Sequence, residues 1–417
     1  MRKRIPVQSL TLGMYIDGFC APWMEHPFWR NHFVLSDPED IVRVRNSNVR
    51  EVWIDTSKGL DLALDNTGQS DVARATSAEA VVQEPPSIAT PARDTAPTTT
   101  EEEYLRAAKI CAKSMQVMVE MFEEARLGRR VDTELAQHLV QEIWDSVLRN
   151  QAAIINLARL KTADNYTYMH SVAVCALMVR LALQLELDEE QTRSAGIGGL
   201  LHDLGKAMTP PEVLNKPARL TEAEFTLIKA HPVDGYKMLV DTPELNATVL
   251  DVVLHHHEKT DGTGYPDGQK GDAISLLAKM GAVCDVYDAI TSDRPYKKGW
   301  DPSEAIRRMA GWTQGHLDAQ VFQSFVKSTG IYPTGSLVRL TSGRIGVVVA
   351  QNADALLKPV VNIFFSTKSG LRIPSYAVNL ALPDCKEKIM AREDPQKWKF
   401  PDLDSLWLNP EPASTAQ

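Results

Sequence analysis

A chain of 417 residues with 44% hydrophobic and 24% charged side chains is long enough for two or three domains and unlike a disordered protein, so one small binding module is excluded. Its net charge of −9 supplies no general field for nucleic acid or anionic lipid, so neither DNA nor RNA is an expected partner, and a phosphate ligand needs local positive groups. The five cysteines, Cys20, Cys111, Cys175, Cys284 and Cys385, form no C-x-x-C pair and point to a reducing compartment. Met1 to Leu12 carries Arg2, Lys3 and Arg4 with no apolar run behind them. No stretch reaches the roughly 18 uninterrupted apolar residues of a spanning helix, so the expectation is a cytoplasmic protein without membrane insertion.

In chain order, residues 1–67 predict a small α+β domain, with a β-type run at Glu51-Val52-Trp53-Ile54-Asp55 and a helix from Pro38 to Arg45 whose Ile41 and Val44 share a face. Trp23, Phe28, Trp29 and Trp53 read as its core. Residues 68–100, rich in Ala, Thr, Ser and Pro and without an aromatic, predict a flexible linker. A helical block is expected over 101–331. It opens with the stripe Leu105, Ala108, Ala112, Met115, Val119 and Phe122 and continues with helices at about 132–159, 164–185, 189–206, 221–230, 233–240, 245–257, 273–291 and 302–310. Thr221 and Glu224 form a capping-box pattern. Runs at Ser336–Leu340, Ile345–Ala350 and Pro359–Ser366 predict a small antiparallel β unit over 332–390, followed by an irregular tail over 391–417.

Six of the ten histidines, His170, His202, His231, His255, His256 and His257, fall within the helical block between residues 170 and 257. A single helical histidine is ordinarily a satisfied core or surface residue; the clustering changes that reading. Asp203 follows His202 directly, and Asp285 lies in the apolar run Met280-Gly281-Ala282-Val283-Cys284. Imidazole with carboxylate suits Fe, Mn or Zn, and the lack of paired cysteines argues against a structural thiolate site. Consecutive helix residues are turned about 100° apart, so His202-Asp203 and His256-His257 can splay toward different ions while a carboxylate bridges them. Two near misses are informative: His257 to Asp261 begins like a zinc-protease helix but ends in Asp, and Gly199 to Lys206 has the wrong glycine spacing for a phosphate loop.

The stretch His202-Asp203-Leu204-Gly205-Lys206, then His231-Pro232, then His256-His257-Glu258-Lys259-Thr260-Asp261-Gly262-Thr263-Gly264-Tyr265-Pro266 resembles the HD-GYP family of bacterial cyclic di-GMP phosphodiesterases. The segment from Lys3 to Gly59, with Gly13-Met14-Tyr15 and His26-Pro27-Phe28, resembles the domain of unknown function that often precedes this module. The resemblance implies a mainly α fold, a helical HD-type metal phosphohydrolase domain. It also implies one ion held by His170, His202, Asp203 and Asp285 and a second held by Asp203, His231, His256 and His257, with Asp203 bridging. His255 is the spare residue of the triple histidine. A Glu that gives some members a third ion is replaced here by Tyr166, so two ions are expected, Fe or Mn.

Such a pair can generate a bridging hydroxide near neutral pH and screen phosphate oxygens during in-line attack. The implied reaction is hydrolysis of cyclic di-GMP to linear pGpG, with GMP as a further product. Lys206, four residues after His202, is expected on the same helical face, within reach of phosphate or leaving group. Arg294 and Lys297 match a pattern that holds ligand phosphates, Gly264 permits close backbone approach, and Tyr265 offers a ring or hydroxyl to the ligand. Glu258 and Asp288 are expected to orient the ligating histidines or Lys206. Two alternatives are a hydrolase of a related cyclic dinucleotide, and a catalytically weak module that binds a cyclic dinucleotide or a diguanylate cyclase domain. Diguanylate cyclase domains and a homodimer are the expected protein partners.

Overall fold

The computed structural model describes residues 2–19, 33–35, 38–45, 49–60, 95–159, 166–216, 218–293, 298–352 and 354–408. The chain divides into two compact units, Met1–Thr90 and Pro91–Gln417. The first holds strands β1 (Arg2–Pro6), β2 (Tyr15–Phe19) and β3 (Phe33–Val34), helix α1 (Pro38–Arg45) and strand β4 (Glu51–Asp55), in an antiparallel sheet of order β1-β4-β2-β3. Alternation along β4 buries Val52 and Ile54 against Ile5, Met14, Ile16 and Val44, as the period-2 pattern requires. Trp23, Phe28, Trp29 and the linker as far as residue 94 lie outside the described residues.

The second unit opens with α2 (Thr100–Arg126), closed at its start by a complete Thr99/Glu102 capping box. Then come α3 (Thr133–Arg149), α4 (Ala153–Arg159), α5 (Tyr166–Gln184) and α6 (Glu189–Leu201). The continuous helix expected over 132–159 is broken: Asn150 is extended, and its Oδ1 accepts from the N–H groups of Ala152 and Ala153, so it ends one helix and starts the next. Buried Glu103 binds Arg149 at 2.7 Å and Ser146 at 2.7 Å, tying α2 to α3. Helix α5 runs through the middle and is buried at every residue from Met169 to Ala182. It is long and apolar enough to cross a membrane by length and composition, but 78% of that window is buried inside the protein, as a core helix requires.

A 3₁₀ turn (Leu204–Met208) leads to α7 (Pro211–Leu214), α8 (Glu222–Lys229), α9 (His231–Leu239), α10 (Ala247–His255), α11 (Leu276–Thr291), α12 (Pro302–Trp312) and α13 (Ala319–Thr329). The pattern reading omitted α13, although Val321, Phe322 and Phe325 are buried on one face and Asp318 caps it. Strands β5 (Leu337–Leu340), β6 (Arg344–Ala350), β7 (Val360–Ser366), β8 (Leu371–Asn379) and β9 (Ile389–Arg392) make an antiparallel sheet of order β8-β7-β6-β5-β9. The tail is not irregular as expected: α14 (Pro395–Trp398) and α15 (Leu403–Leu408) follow, and Trp407 is buried against Leu337, Val347 and Phe364. Aromatic side chains at Trp398, Phe400 and Trp407 give that segment enough apolar area to order on the sheet.

Candidate metal centre

The helical unit brings seven predicted side chains from five chain segments to one buried point. His170 lies in α5, Asp285 in α11, and His231 opens α9. The other four sit where helices stop. Helix α6 ends at Leu201, so His202 is its cap and Asp203 leaves helical geometry at φ −99°, ψ 4°. Helix α10 ends at His255, with His256 as its cap and His257 in the following turn. The expected continuous helix is therefore corrected: each pair stands at a helix end, with His202 and His256 as caps still in right-handed helical conformation. Gly205 makes the approach of α9 possible, because a Cβ there would stand 2.0 Å from the carbonyl oxygen of His231.

The side chains form two groups that could each hold a divalent cation: His170, His202 and Asp285, and Asp203, His231, His256 and His257, with donor atoms in each group within 4.8 Å of one another. Asp203 faces both. Its Oδ2 lies 3.5 Å from His170 Nε2 and 3.3 Å from His202 Nε2, while Oδ1 lies 3.2 Å from His231 Nε2. Asp285 also spans the groups, with Oδ1 3.0 Å from His170 Nε2 and Oδ2 3.7 Å from His257 Nδ1.

The outer ring nitrogens decide what the inner ones can do. His202 Nδ1 lies 2.8 Å from the Gly199 carbonyl, His231 Nδ1 2.7 Å from that of Ile228, and His256 Nδ1 3.0 Å from that of Val253. Carbonyls only accept, so each Nδ1 carries a proton, and it is the neutral ring's Nε2 lone pair that is presented inward. His231 Nε2 and His256 Nε2 then face one another at 3.2 Å, and His202 Nε2 and Asp203 Oδ1 are buried with no hydrogen-bond partner among the described residues. Lone pairs converging at a buried point are costly unless a cation sits among them, so the donor set fits a metal. His170 differs: its Nδ1 lies 2.6 Å from Asp288 Oδ2, a carboxylate clamp.

Burial lowers the pKa of His256 well below the ordinary value, helped by the neighbouring charges of His257, His202 and His231. Burial likewise pushes His257 down to about 3, with Asp285 opposing. His170 is raised, since Asp285 and Asp288 outweigh its burial. Burial tends to raise both Asp203 and Asp285, but the surrounding histidines, with Lys206 at Asp203, hold both well below the carboxylate range. The cluster thus keeps both carboxylates ionised and His256 and His257 neutral, the forms that ligate.

Lys206 arrives through the 3₁₀ turn rather than on the helical face of His202, and its Nζ lies 2.5 Å from Asp203 Oδ2 with a fifth of the side chain exposed. Tyr265 packs on His257 with ring centroids 4.8 Å apart, and its N–H donates to the His257 carbonyl at 3.3 Å. Gly264 lets the loop close over this helix end, since a Cβ would meet Lys259 N at 2.4 Å. Glu258 holds this loop instead of a histidine: its Oε1 accepts from Asp267 N at 2.8 Å. His255 stands outside both groups, and Tyr166 stacks on His170 at 5.7 Å and 10°. Arg294 and Lys297 lie outside the described residues. Sequence reasoning missed Lys229, whose Nζ lies 5.9 Å from the Tyr265 ring and 5.1 Å from the ring of half-exposed Phe225; its only signal was its place two residues before His231.

Residues 148–321 match the family described as HD domain, and residues 2–136 match a domain of unknown function, DUF3391. The chain is 52% identical to a cyclic di-GMP phosphodiesterase of Pseudomonas aeruginosa, over 98% of this chain and 96% of that protein. It is 35% identical to a cyclic di-GMP phosphodiesterase response regulator of Xanthomonas campestris, over 45% of this chain and 50% of the relative. It is 36% identical to a 3′3′-cGAMP-specific phosphodiesterase of Vibrio cholerae, over 40% and 39%. A match at half identity along nearly the whole length decides the assignment: the chain belongs to the HD-GYP family of cyclic di-GMP phosphodiesterases.

Proposed function

We propose that this cyclic di-GMP phosphodiesterase opens its substrate at the buried histidine–carboxylate cluster, giving linear pGpG and, by a second cut, GMP. The observation that carries the reading is Asp203, whose two oxygens face two separate sets of imidazole nitrogens. His170, His202, Asp203 and Asp285 would hold one ion, and Asp203, His231, His256 and His257 the other. Imidazole with carboxylate is a donor set suited to Fe or Mn. Two bound ions would supply a lowered pKa for water and charge screening for the phosphate oxygens.

The chain's own groups do the rest. Asp288 fixes the His170 ring by accepting from Nδ1, and the three backbone carbonyls do the same for His202, His231 and His256. Lys206, at the edge of the cluster, donates from Nζ to a phosphate oxygen or to the departing ribose oxygen. Tyr265 keeps its phenolic proton, because burial and the nearby Asp285 and Asp203 raise its pKa, and it offers that O–H and its ring to the ligand. Arg294 and Lys297 are assigned to the ligand phosphates by their place in the chain. A cytoplasmic setting is part of this reading, supported by four described cysteines that are free thiols. Diguanylate cyclase domains and a second copy of this chain are proposed partners on the family resemblance, tested by co-purification and sedimentation.

Protein loaded anaerobically with Fe(II) or Mn(II) is expected to convert cyclic di-GMP to pGpG by chromatographic assay, and Asp203→Asn to abolish turnover. A metal-replete protein that leaves cyclic di-GMP uncut would refute the reading. The metal cluster sees only the phosphodiester, so competition between cyclic di-GMP and 3′3′-cGAMP measures what the base-facing residues add.

A further inference from the structure

His255 belongs to neither ligand group, yet both of its ring nitrogens are engaged. Nδ1 lies 2.6 Å from Asp251 Oδ1, one turn back on α10, and Nε2 lies 3.0 Å from Asp267 Oδ2 in the loop that carries Tyr265. Ionised carboxylates only accept, so the ring donates from both sides and bridges helix to loop. The Gln269 amide also lies 3.0 Å from Nε2, and its oxygen is the atom that suits a donating ring.

The tie continues at each end. Asp251 Oδ2 accepts from the Ser275 hydroxyl, and Ser275 Oγ caps α11, the helix of Asp285, by accepting from Ala278 N at 3.1 Å. Asp267 is gripped a second time through its backbone N–H by Glu258, the residue after His257. No residue from Asp261 to Lys270 is fully buried, so beyond the packing of the Tyr265 ring on His257 this loop depends on polar ties.

We infer that His255 is a positioning residue that fastens the Tyr265 loop to the end of α10 beside His256 and His257 and, through Asp251 and Ser275, to the start of α11, and so sets how tightly the cyclic dinucleotide is held. The inference rests on the reading above, in which Tyr265 meets that ligand.

The test uses metal-loaded full-length protein, comparing steady-state turnover of cyclic di-GMP with hydrogen exchange of the 261–270 amides. His255→Ala and Asp267→Ala should each raise KM about fivefold or more and leave kcat within about twofold, as expected when binding rather than chemistry is lost. Ion content should not change, and exchange should accelerate in 261–270 alone. The double variant should be no worse than His255→Ala alone, because that change already removes the bond to Asp267. His255→Arg, able to donate to both carboxylates, should recover part of the KM. Unchanged KM and exchange in His255→Ala, or additive losses in the double variant, would overturn the inference. If His255→Ala does not fold, Asp267→Ala breaks the same bond from an exposed position. Wild-type protein that leaves cyclic di-GMP uncut would instead refute the catalytic reading, and the exchange comparison would still decide the fastening.

Discussion

A histidine offers a cation only the ring nitrogen that is not already donating, so the second partner of each ring matters as much as the first. His202, His231 and His256 are set by backbone carbonyls that no side-chain substitution removes, whereas His170 depends on Asp288. Asp288→Asn should therefore lower metal affinity or turnover about 10–100-fold, read by metal titration beside initial rates. The depressed pKa of His257 gives a second expectation. Folded His257 refuses a proton down to about pH 3, while the unfolded chain accepts one near the ordinary value of 6.5, so lowering pH through that window favours unfolding. In chelator-treated protein the urea midpoint should fall further between pH 7 and 5 for wild type than for His257→Gln. Equal slopes would show that this imidazole is not withheld from protons. That these seven side chains would be brought together was legible from residue types and spacing together with the family resemblance. The orientation of Lys206 toward Asp203 and the grip of Glu258 on the loop were not, because both follow from backbone turns that begin where helices end.

Helix ends, more than helices, build this centre. Amphipathic periodicity located most helices of the second unit but ran α6 through His202 and Asp203, since the apolar pattern continues across the break. It also passed over Asn150, whose side chain stops one helix and starts another. Strand β8 escaped notice because Pro374 interrupts its sequence, yet β8 is an edge strand, where a missing N–H is tolerated. Two element-scale outcomes follow. Gly205→Ala forces a Cβ against backbone at the 3₁₀ turn and should cost about 1–3 kcal/mol in denaturant unfolding, with weakened metal binding because His231 must shift. Arg149→Met leaves the Glu103 carboxylate buried without its cation and should cost about 3–5 kcal/mol.

At the scale of the molecule, the two compact units suggest where the chain can be cut. A truncation at residue 100 would remove Thr99 and the capping box at the start of the long first helix of the catalytic unit, so the cleaner fragment begins at Pro91. That fragment should fold and keep intrinsic phosphodiesterase turnover; a folded but inert fragment would show that the N-terminal unit contributes to chemistry. The boundary between the two compact units falls within residues 68–100, the stretch whose composition differs, whereas the order of the tail carries no such signal, because its three aromatics acquire a partner only once the sheet exists. The catalytic expectations depend on a carboxylate shared by two cations. Metal analysis of anaerobically purified protein, paired with turnover of cyclic di-GMP, tests it most directly. The account predicts two ions per chain in wild type and loss of both occupancy and turnover in Asp203→Asn. Full activity with a single ion per chain, or two retained ions in Asp203→Asn, would contradict it.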